Sequence, residues 1–401
     1  MDFPLDYVRG CFSRPDSPDT VYFRNASTPW VLSTIRALEN RSDRSAADDP
    51  AEILRDTRES LAVFLNSNEA WAEEEIVFAP DVRELARRLS LGLGENLGPD
   101  SEVVVSEIDD EWSLAPWLAL EERGVTVRFW PLKRPGAGLD PARLSELLNE
   151  RTRLVVAAKA SSAIGTIVEL LPVALLVRDR KSSLVVNWTP FLSHGAIDVR
   201  FLRSDFVLAS TSSLFGSRVG FLWGRRERMR ELRDANPGIF EGLETEPKEV
   251  DALGAALRYV EELGLLAQEM QVQPSEDYGR RRHMRRGMQA IRHYERTLTS
   301  LALRRLAEIP GATVYGIHDW DHSARRMPHF FFRLRGKDPG EVASALAKEN
   351  VRVEHGSFGC PRAVRALGLP ENEGAVSASM AHYNTEAEVE RFAEALHGIA
   401  T

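Results

Sequence analysis

Four apolar runs of the chain end in side chains that can do chemistry. "EVVVSEI" (102–108) leads to Asp109, Asp110 and Glu111, and "LVVAAKA" (154–160) carries Lys159 and leads to Ser161 and Ser162. "SLVVNW" (183–188) carries Asn187, and "DFVLAS" (205–210) runs through Ser210 into Thr211, Ser212 and Ser213. In an open parallel sheet, ligands bind outside the carboxyl ends of the strands, so these tips would converge on one polar pocket. Small polar residues also end strands and start turns with no further role. It is the convergence of several tips that favours a pocket.

Single residues add candidates. A desolvated Lys159 could serve as a base or an imine-forming amine; the competing reading is a lysine that snorkels to solvent or pairs with Asp109. Cys360, in "VEHGSFGCPRAV" (353–364), could become a reactive thiol if His355 approaches it. A buried, inert thiol is the alternative. "HDWDH" (318–322) has metal-like spacing but falls in a segment that reads as loop, so a surface cluster is expected and no metal.

The elements that must position these groups follow from the apolar pattern. Between residues 75 and 225, seven short runs alternate with helix-length amphipathic stretches: "EIVFAP", "EVVVSEI", "VTVRFWPL", "LVVAAKA", "SLVVNW", "DFVLAS" and "GFLWG". This rhythm predicts an α/β fold with a mostly parallel seven-stranded sheet covered by helices. Residues 226–300 read as long helices, and the tail as a smaller α+β unit with strands "PHFFFRL", "VRVEH" and "GAVSASMA". The expected division is an N-terminal segment (1–30) packed on the body, a large α/β domain (31–270) and a small C-terminal α+β domain (271–401). The stretch "RSDRSAADDP" (41–50) is the most loop-like.

Composition bounds the function. The 401 residues are 43% apolar and 28% charged, the profile of a globular chain long enough for two domains. A net charge of −9 argues against general nucleic-acid or membrane binding, and the basic run at 278–296 reads as a solvated or inter-subunit face. Two cysteines support no disulfide framework, and the N-terminus shows no export signal, so a cytoplasmic location is expected.

With these residues in order, the chain resembles the class V aminotransferases and cysteine desulfurases of the pyridoxal-phosphate type I fold. The stretches that carry the resemblance are "VYFRNAST" (21–28), "APWLAL" (115–120), "SSAIGTIVEL" (161–170), "HGAIDVRFLRSDF" (194–206), "LFGSRVGFLWG" (214–224) and "HYNTEAEVERF" (382–392). The resemblance implies a lysine directly before the Phe-Gly turn, where this chain has Ser213. It implies an aspartate at Asn187, a histidine in the Asp109–Glu111 stretch, a phosphate-cupping turn where Asp81 stands, an asparagine at Ser162 and an arginine at Ser377. A serine cannot form an imine, and an amide cannot keep a pyridinium ring protonated. The expectation is therefore a remodelled, cofactor-independent homologue, with pyridoxal phosphate not expected. A small polar, amino-acid-like metabolite would be held by Asp109, Asp110, Ser162, Asn187, Ser210, Ser213 and Ser377, in a biosynthetic role. Lys159, Asp110, Cys360 and His355 are the catalytic candidates. The alternative is a non-catalytic partner of a lysine-bearing paralogue. The resemblance implies a dimer, either of identical chains or with such a paralogue.

Overall fold

The seven apolar runs form one sheet in the computed structural model, which describes residues 3–40, 49–133, 138–269 and 279–401. The strands are β1 (Ile76–Ala79), β2 (Glu102–Ser106), β3 (Thr126–Trp130), β4 (Thr152–Ala158), β5 (Ser183–Asn187), β6 (Phe206–Ser210) and β7 (Gly220–Gly224). Their spatial order is β1-β7-β6-β5-β4-β2-β3, with β7 antiparallel to both its neighbours and the remaining pairs parallel. Successive side chains of a strand point to opposite faces, and here both faces are covered. Val103, Val105, Leu154, Val156 and Leu208 pack with Leu85 and Leu89 of α1 (Val82–Gly94) and Trp117 of α2 (Glu111–Leu118). Val104, Val155, Val186 and Val207 face the other way, toward Val173 of α3 (Leu170–Asp179). Burial on both sides explains why these strands read as unbroken apolar runs.

The short helix α4 (Val199–Leu202) joins β5 to β6, and α5 (Arg226–Ala235) follows β7. Two long helices, α6 (Pro247–Glu269) and α7 (Arg280–Glu308), lie against one another. Their contact is a glycine crossing: a Cβ on Gly264 would lie 1.8 Å from the His283 carbonyl oxygen, and one on Gly287 would lie 2.1 Å from that of Val260. Neither position accepts a side chain at this separation.

A second, four-stranded antiparallel sheet contains β8 (Ala312–Tyr315), β9 (His329–Leu334), β10 (Glu354–Gly356) and β11 (Ala375–Ser379), in the order β8-β9-β11-β10. Phe330 and Phe332 of β9 pack with Leu298 and Leu303 of α7 and Phe392 of α8 (Glu386–Ala400), while Phe331 joins the core shared with the large sheet. The stretch expected as one strand, "VRVEH", divides. Val351–Arg352 pairs in parallel with Val21–Tyr22 of the N-terminal segment, and only Glu354–Gly356 joins the four-stranded sheet. Sequence periodicity registers extended backbone but not its partner. Strand β8 was not anticipated. The boundary expected at 270/271 and most of the loop-like 41–50 stretch lie outside the described residues. Among the described residues, no helix is long and apolar enough to cross a membrane.

Candidate ligand-binding site

The carboxyl ends of β2, β4 and β5 meet in a buried polar knot. Asp109, 1% exposed, accepts from the Ala158 N–H at 2.6 Å, from Asn187 Nδ2 at 3.3 Å and from the Ser106 hydroxyl. Burial pushes its carboxyl pKa up, and these donors pull it partly back. Asp110 accepts from Ser162 Oγ at 3.1 Å and from Cys360 Sγ at 3.2 Å. Burial first, then the charge of Asp109, raises the Asp110 carboxyl to about 7. Asn187 Oδ1 accepts from the Thr189 N–H at 3.1 Å, so the amide is used on both sides. The knot is internally satisfied and offers little to a ligand.

Cys360 is fully buried, and burial with the neighbouring Asp110 raises its thiol well above the usual range. This is the opposite of the activation a nucleophile needs. His355 does not supply that activation, because it is exposed on β10 and lies against Gly340. The residue preceding Cys360, Gly359, has φ of +70°, a left-handed backbone that suits glycine. Lys159 points away from the serine tips: its ammonium donates to the Val168 carbonyl at 2.8 Å and sits 5.7 Å from the Trp188 ring centroid and 5.3 Å from that of Phe191. Burial lowers it to about 8. Ser377, at 0% exposure, bonds His329 Nε2 at 2.7 Å within the small sheet. His322 pairs with Asp319 at 2.7 Å on the surface.

The tip of β6 is different. Ser210 caps the turn Thr211–Ser213 and its hydroxyl bonds that of Ser212 at 3.0 Å. Phe215 and Gly216 then take φ of +64° and +112°, turning the chain back into β7. A Cβ on Gly216 would lie 2.5 Å from Val31 Cγ1. Ser213 Oγ donates to the Thr189 carbonyl at 3.2 Å. Beside it lies a cavity of about 100 Å³, lined among others by Ser162, Thr189, Ser193, Ser212, Ser213 and His194. Of the residues expected to bind ligand, Ser162 and Ser213 line this space. Ser210 supports the tip, the Asp109–Asp110–Asn187 knot lies beneath it, and Ser377 lies one contact behind the wall, bonded to the lining residue His329.

His194 was not singled out from sequence, because "HGAIDV" served only to mark the register of a family motif. Its Nδ1 lies 2.9 Å from Glu295 Oε2 of α7. Glu295 is fully buried, and its second oxygen has no partner among the described residues. Leaving half of a buried carboxylate unsatisfied is costly, so Glu295 is held there against that cost. It orients the imidazole with Nδ1 turned away and Nε2 as the nitrogen open to a ligand.

Comparison with known proteins places these features. The aminotransferase class-V family model matches residues 30–392. A cysteine desulfurase of Serratia proteamaculans is 25% identical over 437 aligned positions, covering 100% of this chain and 99% of that one. A probable cysteine desulfurase of Mycolicibacterium paratuberculosis is 27% identical, but this chain spans only 55% of its length. An aminotransferase-like protein of Gibberella zeae is 27% identical over 84% of this chain and 83% of its own. In structure, the apo cysteine desulfurase of Thermococcus onnurineus superposes with a TM-score of 0.82 at 21% identity, covering 100% of this chain and 98% of that one. An Escherichia coli cysteine desulfurase gives 0.78 at 21%, covering 98% of both. The type I fold expected from sequence is thus shown.

The expectation of no cofactor is corrected by the same matches, since the family is a pyridoxal-phosphate one and no observation shows that binding is lost. What the residues do show is narrower. Ser213 carries no amine for covalent attachment. At the start of α1, the carboxylate of Asp81 itself takes the Arg83 N–H at 2.9 Å, where a phosphate would need free donors. The side chains as arranged do not fit a covalently anchored cofactor, and no reaction step is derived through one. With the family model spanning both sheets, the chain belongs to the aminotransferase class-V family.

Proposed function

We propose that the chain is a class V homologue that binds a small polar, amino-acid-like ligand in the cavity at Ser213. His194 offers Nε2 to that ligand as hydrogen-bond acceptor or proton carrier, and Ser162, Ser212 and Ser213 supply hydroxyls. The observation that carries the reading is the His194–Glu295 pair opening on a cavity whose mixed wall keeps the hydroxyls of Ser162, Ser193, Ser212 and Ser213. Filling it with apolar side chains would add about 1.5–3 kcal/mol for each one fully buried, yet serines line it. Hydroxyls and an imidazole set into a partly apolar wall support an occupant with polar groups.

The test is a thermal-shift titration with glycine, alanine, serine, cysteine and pyridoxal phosphate as separate probes. An amino acid should raise the melting temperature of the wild type. Ser213→Leu should abolish that shift while itself melting no lower. No shift with any amino acid would sink the proposal, and so would a shift from pyridoxal phosphate alone.

A further inference from the structure

At the opposite, amino-terminal edge of the large sheet lies a larger cavity with the reverse charge balance of the chain. Its volume is about 530 Å³, within the range of small-molecule sites. Seven cationic and three acidic side chains line it, on a chain whose net charge is −9. Two of the acids are already engaged. Asp205 accepts from Arg225, from Arg228 at 3.2 Å and from the Leu184 N–H at 2.8 Å. Glu75 is buried and accepts from Trp223 Nε1 at 3.1 Å and from the Ser67 hydroxyl.

Four cations are held by no contact, although the charge of Arg200 reaches Glu75. Arg178, Lys181, Arg200 and Arg203 are exposed and make no hydrogen bond or ion pair among the described residues. They lie at or just beyond the carboxyl ends of α3 and α4, where a positive charge complements the helix dipole. That effect does not account for their backbone. Lys181 and Arg203 have φ of +55° and +54°, the left-handed region where glycine is the unstrained choice. Two positions that favour glycine instead hold long cations facing one cavity, and strain of this kind collects at ligand sites.

The cavity wall shows two further gaps. Ser204, 1% exposed, lines the cavity and its hydroxyl has no partner among the described residues. Among the described residues no side chain caps α5, whose first turn faces the same space. Trp71, 37% exposed, forms part of the rim with the Arg226 guanidinium 4.5 Å from its ring centroid. An arginine-backed indole gives a planar ring a surface to stack on.

We propose that this cavity binds a nucleotide, its phosphates held by Arg178, Lys181, Arg200 and Arg203 and its base stacked on Trp71. The site is separate from the Ser213 cavity, at the other end of the strands. Charge-assisted contacts from free guanidinium groups suit phosphate oxygens, and flexible exposed arginines can close on them.

The test is isothermal titration of the full chain with ATP and, separately, with inorganic tripolyphosphate, at low and at moderate salt. ATP should bind, and more weakly as salt rises. Arg203→Gly removes a cation while relieving its backbone, so it should melt no lower than wild type yet bind ATP about tenfold more weakly. Trp71→Ala should reduce ATP binding and leave tripolyphosphate binding unchanged. No ATP binding by the wild type overturns the proposal, as does full binding by the Arg178→Ala/Lys181→Ala/Arg200→Ala triple variant. Equal affinity for ATP and tripolyphosphate, insensitive to Trp71→Ala, overturns the nucleotide as occupant.

Discussion

Burial and the adjacent Asp109 hold the Asp110 carboxyl at about 7, against an ordinary value of 3.8. The folded state therefore keeps a proton that the unfolded chain has lost. That contribution to stability is full below about pH 4 and disappears as the pH rises through about 7. Asp110→Asn cannot titrate. The melting-temperature difference between wild type and this variant should favour the wild type most at low pH and shrink toward pH 7. A difference that does not change with pH would show that folding does not shift the Asp110 carboxyl. Cys360 belongs to the same knot, and its raised thiol pKa and complete burial predict inertness. Peptide mapping after alkylation of the native protein should leave Cys360 unlabelled until denaturant is added. Labelling at the rate of an exposed thiol would refute this. Residue types announced these groups, but neither their partners nor their ionisation could be read from the chain, because both depend on which strand ends lie together.

The elements themselves were mostly legible. The large-sheet strands coincide with their apolar runs, because strands buried on both faces must be apolar throughout. The split of 351–356 between two sheets escaped, since the same extended segment serves two partners. The glycine crossing of α6 and α7 is likewise invisible in a helical pattern. Gly287→Ala would drive a methyl group to about 2.1 Å from the Val260 carbonyl oxygen, so the helices must separate. A loss of about 1–3 kcal/mol in denaturant unfolding is expected, with Gly10→Ala, which meets nothing within 4 Å, as the control for a changed glycine. Equal effects at both positions would exclude close packing as the cause.

Across the whole molecule, the N-terminal segment bridges the β6–β7 turn, where Phe12 meets Phe215 edge-on at 5.6 Å, and the end of the smaller sheet. Asn25 Nδ2 donates to the Ser379 carbonyl at 2.9 Å, to Asn384 Oδ1 at 3.0 Å and to the Tyr22 carbonyl at 3.2 Å, and its Oδ1 accepts from the Tyr383 hydroxyl at 2.7 Å. Asn25→Ala leaves buried donors and acceptors open, and should cost about 2–4 kcal/mol in chemical unfolding. A cost below about 1 kcal/mol would mean the segment is held by its strand pairing instead. The sequence by itself determined the α/β architecture, the order of the sheet-forming runs and the serine at position 213, because apolar periodicity and residue identity are properties of the chain alone. Only the tertiary structure decided that Lys159 turns from the serine tips, that Asp110 meets Cys360 and that His194 is backed by Glu295. It also brought Arg178, Lys181, Arg200 and Arg203 around one cavity. Each of these is a contact between residues far apart in the chain, set by how helices and sheets pack, and no local pattern encodes it.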